Sequence, residues 1–356
     1  MKCSLALFLL FTGSVGVSAA SLTQVYQNND FQITGISVSK TGRLFLNFPR
    51  WSDQYLNAVI EVAPDGTTKP FPDKEWNQWD MKPQTVANHF VCVQSVVVDS
   101  SDHFWVLDAA APLLGPSIMN GPKMVEIDLK TNQVSRVISF PRDVATAETY
   151  LNDVRFDLER NTAYITDSGQ GGLIIVDLKA GTGRRVLDGH PSVLPEPGVQ
   201  VPVNGKPLLQ FGKPPQFRSD SLALSPDGQY VYYKAITSNT LYRIKTDVLR
   251  NAQATPQQVA AAVEKAATVF PTDGLWMDAQ SNLYLSDVTH NAVTRLAPNG
   301  QLQRMVEDPR LQWPDTFSQG PDGSIYITAS HINDGANFNG GKSVRKLPYE
   351  VFKFRP

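Results

Sequence analysis

Six segments of the chain each open with a polar or small residue, followed by an apolar strand, a turn and a second apolar strand. The opening residues are Gly35, Gln94, Asn152 or Asp153, Asp220, Asp273 and Asp315. Carboxylates brought close together repel one another unless a proton, a metal ion or a cationic ligand lies between them. Oxygen-rich clusters suit Ca²⁺ or another hard divalent cation. If the six segments surround one centre, these residues predict a site for a cation.

A local structural role is the alternative for acidic residues at strand ends. Asp and Asn side chains there often bond nearby backbone N–H groups and fix turns. We expect that role for Asp99, Asp108, Asp128, Asp167, Asp177 and Asp287. The residues that we take as candidates for ligand binding are Gln94, Asn152, Asp153, Asp220, Asp273 and Asp315. Among them, Asp220 and Asp273 are also candidate metal ligands, and Ca²⁺ or another divalent cation is the candidate cofactor.

The elements that carry these residues are hairpins with characteristic turns. Two turns read Ser225-Pro226-Asp227-Gly228 and Pro321-Asp322-Gly323, and such residues tolerate the positive φ angles that match strand twist. Two further strands often follow a hairpin, as at residues 124–128 and 134–138. Four strands per unit, at intervals of ~40 to 65 residues, are typical of propeller blades. The sequence therefore predicts an all-β, six-bladed β-propeller with four-stranded antiparallel blades.

This architecture explains how distant residues meet. The first strand of each blade lines the central channel, so the six opening residues face one mouth of it. We expect the segment around Val25 and Tyr26 to pair with residues 349–353, which closes the ring and removes an open sheet edge. No linker divides the chain, so residues 21–356 are predicted to form a single domain.

Three long insertions are expected to project from the blade ends. They are residues 51–89, the proline-rich and glycine-rich residues 191–216, and residues 255–267. The last contains strong helix formers and predicts a short surface helix. Residues 333–341 are predicted to form a flexible loop, with a pocket rim as the alternative.

Composition and the N-terminus limit the function classes. A net charge of −2 with 19% charged residues argues against nucleic-acid binding, which needs a basic excess. Lys2, the apolar residues 5–11 and the small residues 18–20 predict a secretory signal at residues 1–20. The apolar run is too short to span a bilayer. We therefore expect a secreted or periplasmic monomer with a small-molecule ligand and no membrane association after cleavage.

Cys92 is the one cysteine that would remain after cleavage of this signal. Its apolar neighbours predict a buried structural thiol.

The ordered set of segments resembles the major royal jelly and yellow protein family. Residues 90–99 with 104–108 resemble its second blade, and residues 150–154 with 163–168 resemble its third. Residues 217–221, 273–278 and 308–315 continue in the order of the family, so that the resemblance covers residues 31–355. It implies a secreted six-bladed propeller with a ligand pocket at one channel mouth. Insect members include proteins linked to dopachrome conversion, food proteins and salivary binders of biogenic amines.

A more distant resemblance is to the regucalcin and gluconolactonase propellers. Those lactonases hold a divalent metal with a Glu, an Asn and an Asp, and orient the substrate with another Asn. By this resemblance Asp273 matches the metal-binding Asp, Asp220 stands at the place of the metal-binding Asn, and Asn152 matches the substrate Asn. Gly35 stands at the place of the glutamate. That departure removes the glutamate ligand of the lactonase metal site and counts against metal-dependent lactone hydrolysis.

Three functional hypotheses follow. The leading one is a protein that binds a small cationic or aromatic amine, with Trp276 or Phe317 as aromatic partners if they line the pocket; the family resemblance adds activity of the dopachrome-conversion type. The alternative is a lactone hydrolase in which Asp220 and Asp273 hold a divalent metal as Lewis acid and a bound water attacks the carbonyl. A scaffold for protein partners is the third. Whether the protein is an enzyme stays open.

Overall fold

The computed structural model describes residues 20–356 and contains six four-stranded antiparallel sheets around a central channel. The predicted six-bladed β-propeller is therefore confirmed. The predicted signal segment lies, apart from Ala20, outside the described residues. Among the described residues, no helix combines the length and the apolar character that crossing a membrane requires.

The blades follow one another along the chain, and the first strand of each lines the channel. Blade 1 contains strands Gly35–Val38, Leu44–Asn47, Val59–Val62 and Thr68–Pro70. Blade 2 contains strands Val93–Val98, His103–Asp108, Lys123–Asp128 and Gln133–Ser139. Blade 3 contains strands Leu151–Asp157, Thr162–Asp167, Leu173–Asp177 and Thr182–Val186.

The second half of the ring repeats this order and then closes it. Blade 4 contains strands Ser219–Leu224, Tyr230–Ala235, Thr240–Lys245 and Glu264–Thr268. Blade 5 contains strands Thr272–Met277, Leu283–Asp287, Ala292–Leu296 and Leu302–Glu307. Blade 6 contains strands Pro314–Gln319, Ile325–Ala329 and Tyr349–Phe354, with Thr23–Asn28 as its outermost strand. Strand Thr23–Asn28 pairs antiparallel with Tyr349–Phe354, so the predicted closure of the ring is confirmed.

The helices are short and lie in the connections. The α-helices are Lys74–Asn77, Thr246–Arg250 and Pro256–Ala261. Shorter helical turns are Pro83–Asn88, Pro112–Leu114, Leu158–Arg160, Pro191–Val193, Ile332–Asp334 and Ala336–Phe338. The insertion at residues 191–216 also carries a small hairpin of Pro202–Val203 and Lys206–Pro207.

Two of the predicted insertions differ from the structure. Residues 51–89 contain the two outer strands of blade 1 and are therefore only partly an insertion. The predicted helix at residues 255–267 ends at Ala261, and Glu264–Thr268 forms the outermost strand of blade 4. Helix propensity is a weak guide here because pairing with strand Thr240–Lys245 gives the segment a ladder of backbone hydrogen bonds.

Apolar side chains pack between neighbouring blades and hold the ring together. Between blades 1 and 2, the ring centres of Phe45, Phe71 and Phe104 lie 4.5 to 5.3 Å apart. Between blades 2 and 3, the rings of Trp105 and Phe156 lie 4.9 Å apart. Burial of this apolar surface is the main favourable contribution to assembly of the blades.

Acidic residues at strand ends fix the connections. The six with a predicted local role all accept backbone N–H groups: Asp99, Asp108, Asp128, Asp167, Asp177 and Asp287. Asp108 accepts from Val91 at 2.8 Å and pairs at 2.8 Å with Lys123, whose side chain is fully buried. The predicted local role of these acids is confirmed.

A β-bulge opens the first strand of five of the six blades. Pairing between the first two strands shifts register in blades 2 to 6, whereas blade 1 pairs from Gly35 and Asn47 onward without a shift. The residues inside the shifts are Gln94, Asn152 with Asp153, Asp220, Asp273 with Gly274, and Asp315 with Thr316. Because a bulge frees a residue from the ladder and turns its side chain, these bulges direct the predicted site residues into the channel, and all of them except Asp153 line the cavity at its mouth.

At the bulges, backbone N–H groups that lose their partner in the ladder donate to hydroxyl groups on the second strands. The N–H of Gly274 donates to Ser286 Oγ at 2.6 Å, and the N–H of Thr316 donates to Thr328 Oγ1 at 3.1 Å. In blade 3, Thr166 accepts in the same way from the backbone of Asp153 at 3.1 Å. The bulges of blades 3, 5 and 6 therefore keep their hydrogen bonding although the ladder is interrupted.

Gly274 is required where the first strands of blades 5 and 6 approach closely. A Cβ atom at this position would lie 1.8 Å from the carbonyl oxygen of Asp315. That oxygen belongs to the backbone and cannot rotate away. The two site residues Asp273 and Asp315 are thereby held on strands in direct contact.

We expect Gly274→Ala to lower the free energy of unfolding by about 3 kcal/mol because the added methyl group overpacks the contact. Chemical denaturation followed by circular dichroism measures the change. Ser221→Ala, the equivalent position in blade 4, is the control, because the buried Ser221 hydroxyl has no hydrogen-bond partner in the described part of the chain and its loss costs little. A Gly274→Ala protein as stable as Ser221→Ala would contradict the close approach.

Candidate functional site

A cavity of about 550 Å³ opens at the channel mouth. Its floor contains five of the six predicted site residues: Gln94, Asn152, Asp220, Asp273 and Asp315. The sixth, Asp153, lines only the narrower space in the channel beneath the floor. Residues more than two hundred positions apart in the sequence thus meet in one place, as the propeller prediction requires.

Direct hydrogen bonds join the floor residues. Asn152 donates from Nδ2 to Asp220 Oδ2 at 2.8 Å and to Ser168 Oγ at 2.8 Å. The carboxyl groups of Asp220 and Asp273 are close enough to shift each other's pKa, raising that of Asp220 and lowering that of Asp273, as in two acids that share one proton. Trp313 Nε1 donates to Asp273 Oδ2 at 2.5 Å. Two adjacent acids therefore act as one proton-sharing pair.

Burial dominates the electrostatics of the floor. It raises the pKa of Asp220 and of Asp315 well above the ordinary value, and the charge of Asp273 raises both further. Burial also raises the pKa of Asp273, to about 6. Asp315 Oδ2 is buried and has no hydrogen-bond partner among residues 20–356. The floor therefore cannot carry the full negative charge of three carboxylates unless a proton or a cation lies among them.

Lys234 is the buried cation behind this floor. It lies on the second strand of blade 4, opposite Ser221 in the register, and its side chain is fully buried. Its ammonium group donates to the carbonyl oxygen of Ala235 at 2.8 Å. Burial lowers the pKa of Lys234 to about 7, although Asp220 and Asp273 oppose that effect. Because this pKa lies near neutrality, only part of the Lys234 side chains carry a positive charge at pH 7, and Lys234 offsets the negative charge of the floor only in part.

Arg155 crosses the channel beneath the floor. Its Nη1 lies 2.6 Å from Asp153 Oδ1, and its Nη2 donates at 2.7 Å to the carbonyl oxygen of Leu275 on blade 5. Asp153 is therefore paired with a cation, unlike the carboxylates above it. Arg155 therefore links blades 3 and 5 across the channel beneath the acidic floor.

Aromatic side chains from the long connections form the cavity walls. The aromatic residues that line it are Phe31, Trp51, Tyr55, Tyr150, Phe217, Trp313, Phe338 and Tyr349. Tyr150 is tied into the floor, because its hydroxyl donates to Gln94 Oε1 at 2.9 Å and accepts from Trp51 Nε1 at 2.7 Å. Residues 335–338 belong to the predicted loop at 333–341, so the pocket-rim alternative describes part of that loop.

The predicted aromatic partners lie elsewhere. Trp276 packs against Tyr284, with ring centres 5.3 Å apart, and is not among the residues that line the cavity. Phe317 lines the narrow space below the floor. Both belong to regular strands, where the alternation of side chains turns them to the blade interface or the lower channel. Apart from Tyr349, which begins strand Tyr349–Phe354, the aromatic residues that do form the walls lie in the connections, and the sequence contained no periodic signal for them.

Blade 1 departs from the other blades in geometry as well as in sequence. A Cβ at Gly35 would lie 1.9 Å from Asn47 Oδ1, so the Asn47 amide fills the space that a side chain at position 35 would need. Asn47 Nδ2 donates to the carbonyl oxygens of Val93 and Gln94, both at 3.1 Å. The amide ties blade 1 to blade 2 in place of a carboxylate.

This geometry does not fit the lactonase metal set, since a glutamate at position 35 would collide with Asn47. Within residues 20–356, no group of three or more His, Cys, Asp or Glu side chains is arranged to hold a metal ion. The metal role of Asp220 and Asp273 stays a prediction that metal analysis can test.

Cys92 is buried, as predicted, and lies beside the cavity wall. Its Sγ is 3.8 Å from the Tyr150 hydroxyl. Burial raises the pKa of the Cys92 thiol to about 12. A thiol with this pKa stays protonated and is a poor nucleophile at neutral pH.

Solved structures with the same fold include enzymes. A gluconolactonase from Xanthomonas campestris aligns with a TM-score of 0.57 at 13% identity, over 95% of this chain and 90% of the other. A calcium-binding protein, regucalcin, from Agrobacterium tumefaciens aligns with a TM-score of 0.55 at 12% identity, over 94% of this chain and 93% of the other. At such identities the likeness establishes the fold alone.

Sequence comparisons identify the family. Major royal jelly protein 1 of Apis mellifera is 25% identical over 207 residues, which is 55% of this chain and 45% of that protein. Major royal jelly protein 3 of the same species is 23% identical over 322 residues, 80% of this chain and 56% of that protein. The chain thus spans about half the length of these relatives. The family model described as major royal jelly protein matches residues 91–333, and the chain therefore belongs to the major royal jelly protein family.

Proposed function

We propose that the protein binds a small aromatic amine in the mouth cavity. The observation that carries the proposal is the floor of buried carboxylates at the base of an aromatic cavity. Asp273 is close enough to raise the pKa values of both Asp220 and Asp315, and Asp315 also raises the pKa of Asp220. A ligand ammonium group between them would relieve their repulsion and give Asp315 Oδ2 the partner that it lacks.

The walls support an aromatic ligand. Rings such as Trp51, Phe217 and Trp313 give apolar contact area and attract a cation at their faces. Small-molecule sites commonly combine apolar walls with a few convergent polar groups in volumes of ~300 to 1,000 Å³. The cavity of about 550 Å³ falls within that range. An amine of the catechol or indole type matches both the floor and the walls.

We further propose that the same cavity carries out chemistry of the dopachrome-conversion type. The proton-sharing pair of Asp220 and Asp273 supports it, since such a pair offers both a proton donor and a proton acceptor. Metal-dependent lactone hydrolysis is the less favoured candidate, because Asn47 fills the place of the lactonase glutamate. Metal analysis of the purified protein and a lactone hydrolysis screen with and without chelator test that candidate.

The charge of the ligand should determine its binding. We expect tryptamine to bind at pH 7.5 and 3-methylindole, which lacks the amine, to bind at least about tenfold more weakly, because a charge-assisted hydrogen bond contributes ~1.5 to 3 kcal/mol. Asp273→Asn should weaken tryptamine binding by a similar factor and leave 3-methylindole unaffected. Isothermal titration calorimetry measures both affinities.

Asp143→Asn is the matched control for this experiment. Asp143 is exposed on a loop at the mouth end but does not line the cavity. Its substitution should leave both affinities unchanged. Equal affinity of the two ligands, or equal effects of the two substitutions, would place amine recognition outside the acidic floor.

Amine binding should weaken as the pH falls through about 6. Burial raises the pKa of Asp273 to about 6, and a cation prefers the deprotonated carboxylate. Protonation therefore competes with the ligand, and we expect a loss of about tenfold in tryptamine affinity from pH 7 to pH 5. Titrations across this range measure it, and 3-methylindole serves as the control without charge. A tryptamine affinity that does not change with pH would contradict a role for Asp273.

The acidic floor should also reduce stability near neutral pH. Burial raises the pKa of Asp220 above its unfolded value, so the free energy of unfolding falls as the pH rises from about 4 through the folded pKa. Asn resembles the protonated acid, and we expect Asp220→Asn to raise the free energy of unfolding by about 1 kcal/mol or more at pH 7.5. The gain should vanish near pH 4.

Chemical denaturation at the two pH values measures this effect, again with Asp143→Asn as the control. Destabilisation by Asp220→Asn of the same size at both pH values would show that the Asp220 carboxylate is not strained by its surroundings.

A further inference from the structure

Exposed apolar side chains concentrate at the mouth end of the propeller. Nine of the eleven large apolar residues that are exposed within residues 20–356 lie in loops at that end: Leu56, Met81, Leu113, Leu114, Met119, Leu209, Phe211, Val344 and Leu347. The other two, Val137 and Leu302, lie on the outermost strands of blades 2 and 5. A soluble surface commonly carries such residues singly and scattered, so their concentration at one end requires a reason.

Four of the nine come from two loops that touch each other. Leu209 and Phe211 precede blade 4, whereas Val344 and Leu347 lie between the second and third strands of blade 6. The backbone N–H of Phe211 donates at 2.8 Å to the carbonyl oxygen of Asn337. The rings of Phe217 and Phe338 also meet, with centres 6.0 Å apart. The two loops therefore form one continuous surface beside the cavity.

The same surface is basic. We call it the basic rim; it consists of Lys206, Leu209, Phe211, Lys213, Lys342, Val344, Arg345, Lys346 and Leu347. Its five cationic residues are exposed, and none of them forms an ion pair with a described residue. Residues 201–217 and 335–348 contain no Asp or Glu. In a chain whose net charge is −2, this local excess of positive charge is distinctive.

We propose that the basic rim docks on an anionic lipid bilayer. Surfaces that bind peripherally to membranes combine cations, which meet anionic headgroups, with aromatic or aliphatic side chains that enter the boundary of the acyl chains. Phe211 is suited to this role because 82% of its surface is exposed. The basic rim matches an anionic, partly apolar surface in both charge and polarity.

The shape of the basic rim favours a lipid surface over an acidic protein. Its exposed apolar residues are interspersed with cations along two loops. Such side chains can each insert among headgroups without a matching pocket. Docking in this way would turn the cavity mouth toward the bilayer.

The proposal is independent of the amine proposal and differs from the expectation of no membrane association. That expectation rested on the lack of a spanning segment, and surface docking needs none. The two segments of the basic rim are distant in sequence and meet only in the fold.

Co-sedimentation with lipid vesicles tests the proposal. The purified chain is mixed with vesicles of phosphatidylcholine alone, or with about 30% phosphatidylserine. We expect binding to the anionic vesicles only, and at least a tenfold loss of that binding at about 0.5 M salt, where charges are strongly screened.

Paired variants separate the basic rim from the rest of the surface. Phe211→Ser with Leu347→Ser, and Lys342→Ser with Lys346→Ser, should each reduce binding by about tenfold. The apolar control is Val137→Ser with Leu302→Ser, which are exposed on outer strands. The basic control is Lys130→Ser with Lys179→Ser, which are exposed in turns at the opposite end. Both controls should bind as the parent protein does.

Three results would overturn the proposal. The first is failure to bind anionic vesicles at low salt. The second is an equal loss in the rim variants and their controls. The third is binding to soluble polyglutamate that displaces the protein from vesicles while Phe211→Ser with Leu347→Ser has no effect, which would assign the surface to an acidic protein. Arg345 is left intact in every variant because it also lines the cavity.

Discussion

The burial of several carboxylates at one channel mouth is the constraint on which the candidate site depends. Removing an ionised acid from water is costly unless it is paired, and Asp220, Asp273 and Asp315 have few partners of opposite charge. The fold manages this with a shared proton, an indole N–H from Trp313 and an amide from Asn152. Buried acids with shifted pKa values and incomplete pairing are typical of functional sites, where part of the stability of the fold is given up for function.

The propeller brings the site residues to one channel mouth, and the bulges and long loops determine which side chains face the cavity. Bulges open five of the first strands and turn one acid or amide from each toward the mouth. Hydroxyl groups such as Thr328 Oγ1 then satisfy the released backbone. Arg155 links blades 3 and 5 across the channel beneath the floor, and long loops build aromatic walls above it. Enzymes and binding proteins share this fold, so function must be argued from these local features.

Much of this architecture was predictable because strand and turn signals recur six times. The spacing of the repeats predicted the blades. The residues that open the first strands, including Asp220 and Asp273, were predicted to lie together at the channel mouth, where the cavity floor is found. The helix predicted at residues 255–267 was too long, since pairing in blade 4 outweighs local propensity. Trp51, Phe217 and Trp313 were missed as wall residues because they follow no period. The Asn47 amide fills the space beside Gly35. This contact joins two strands, and no local sequence pattern predicts it.

The central claim is that the acidic floor receives an ammonium group. The most direct measurement is a crystal structure of the protein with tryptamine bound near pH 7.5. The account predicts the ligand nitrogen within hydrogen-bond distance of carboxylate oxygens of Asp273 and of Asp220 or Asp315, with the indole ring against the aromatic walls. A ligand bound away from these carboxylates, or a metal ion held between Asp220 and Asp273 in its place, would contradict it.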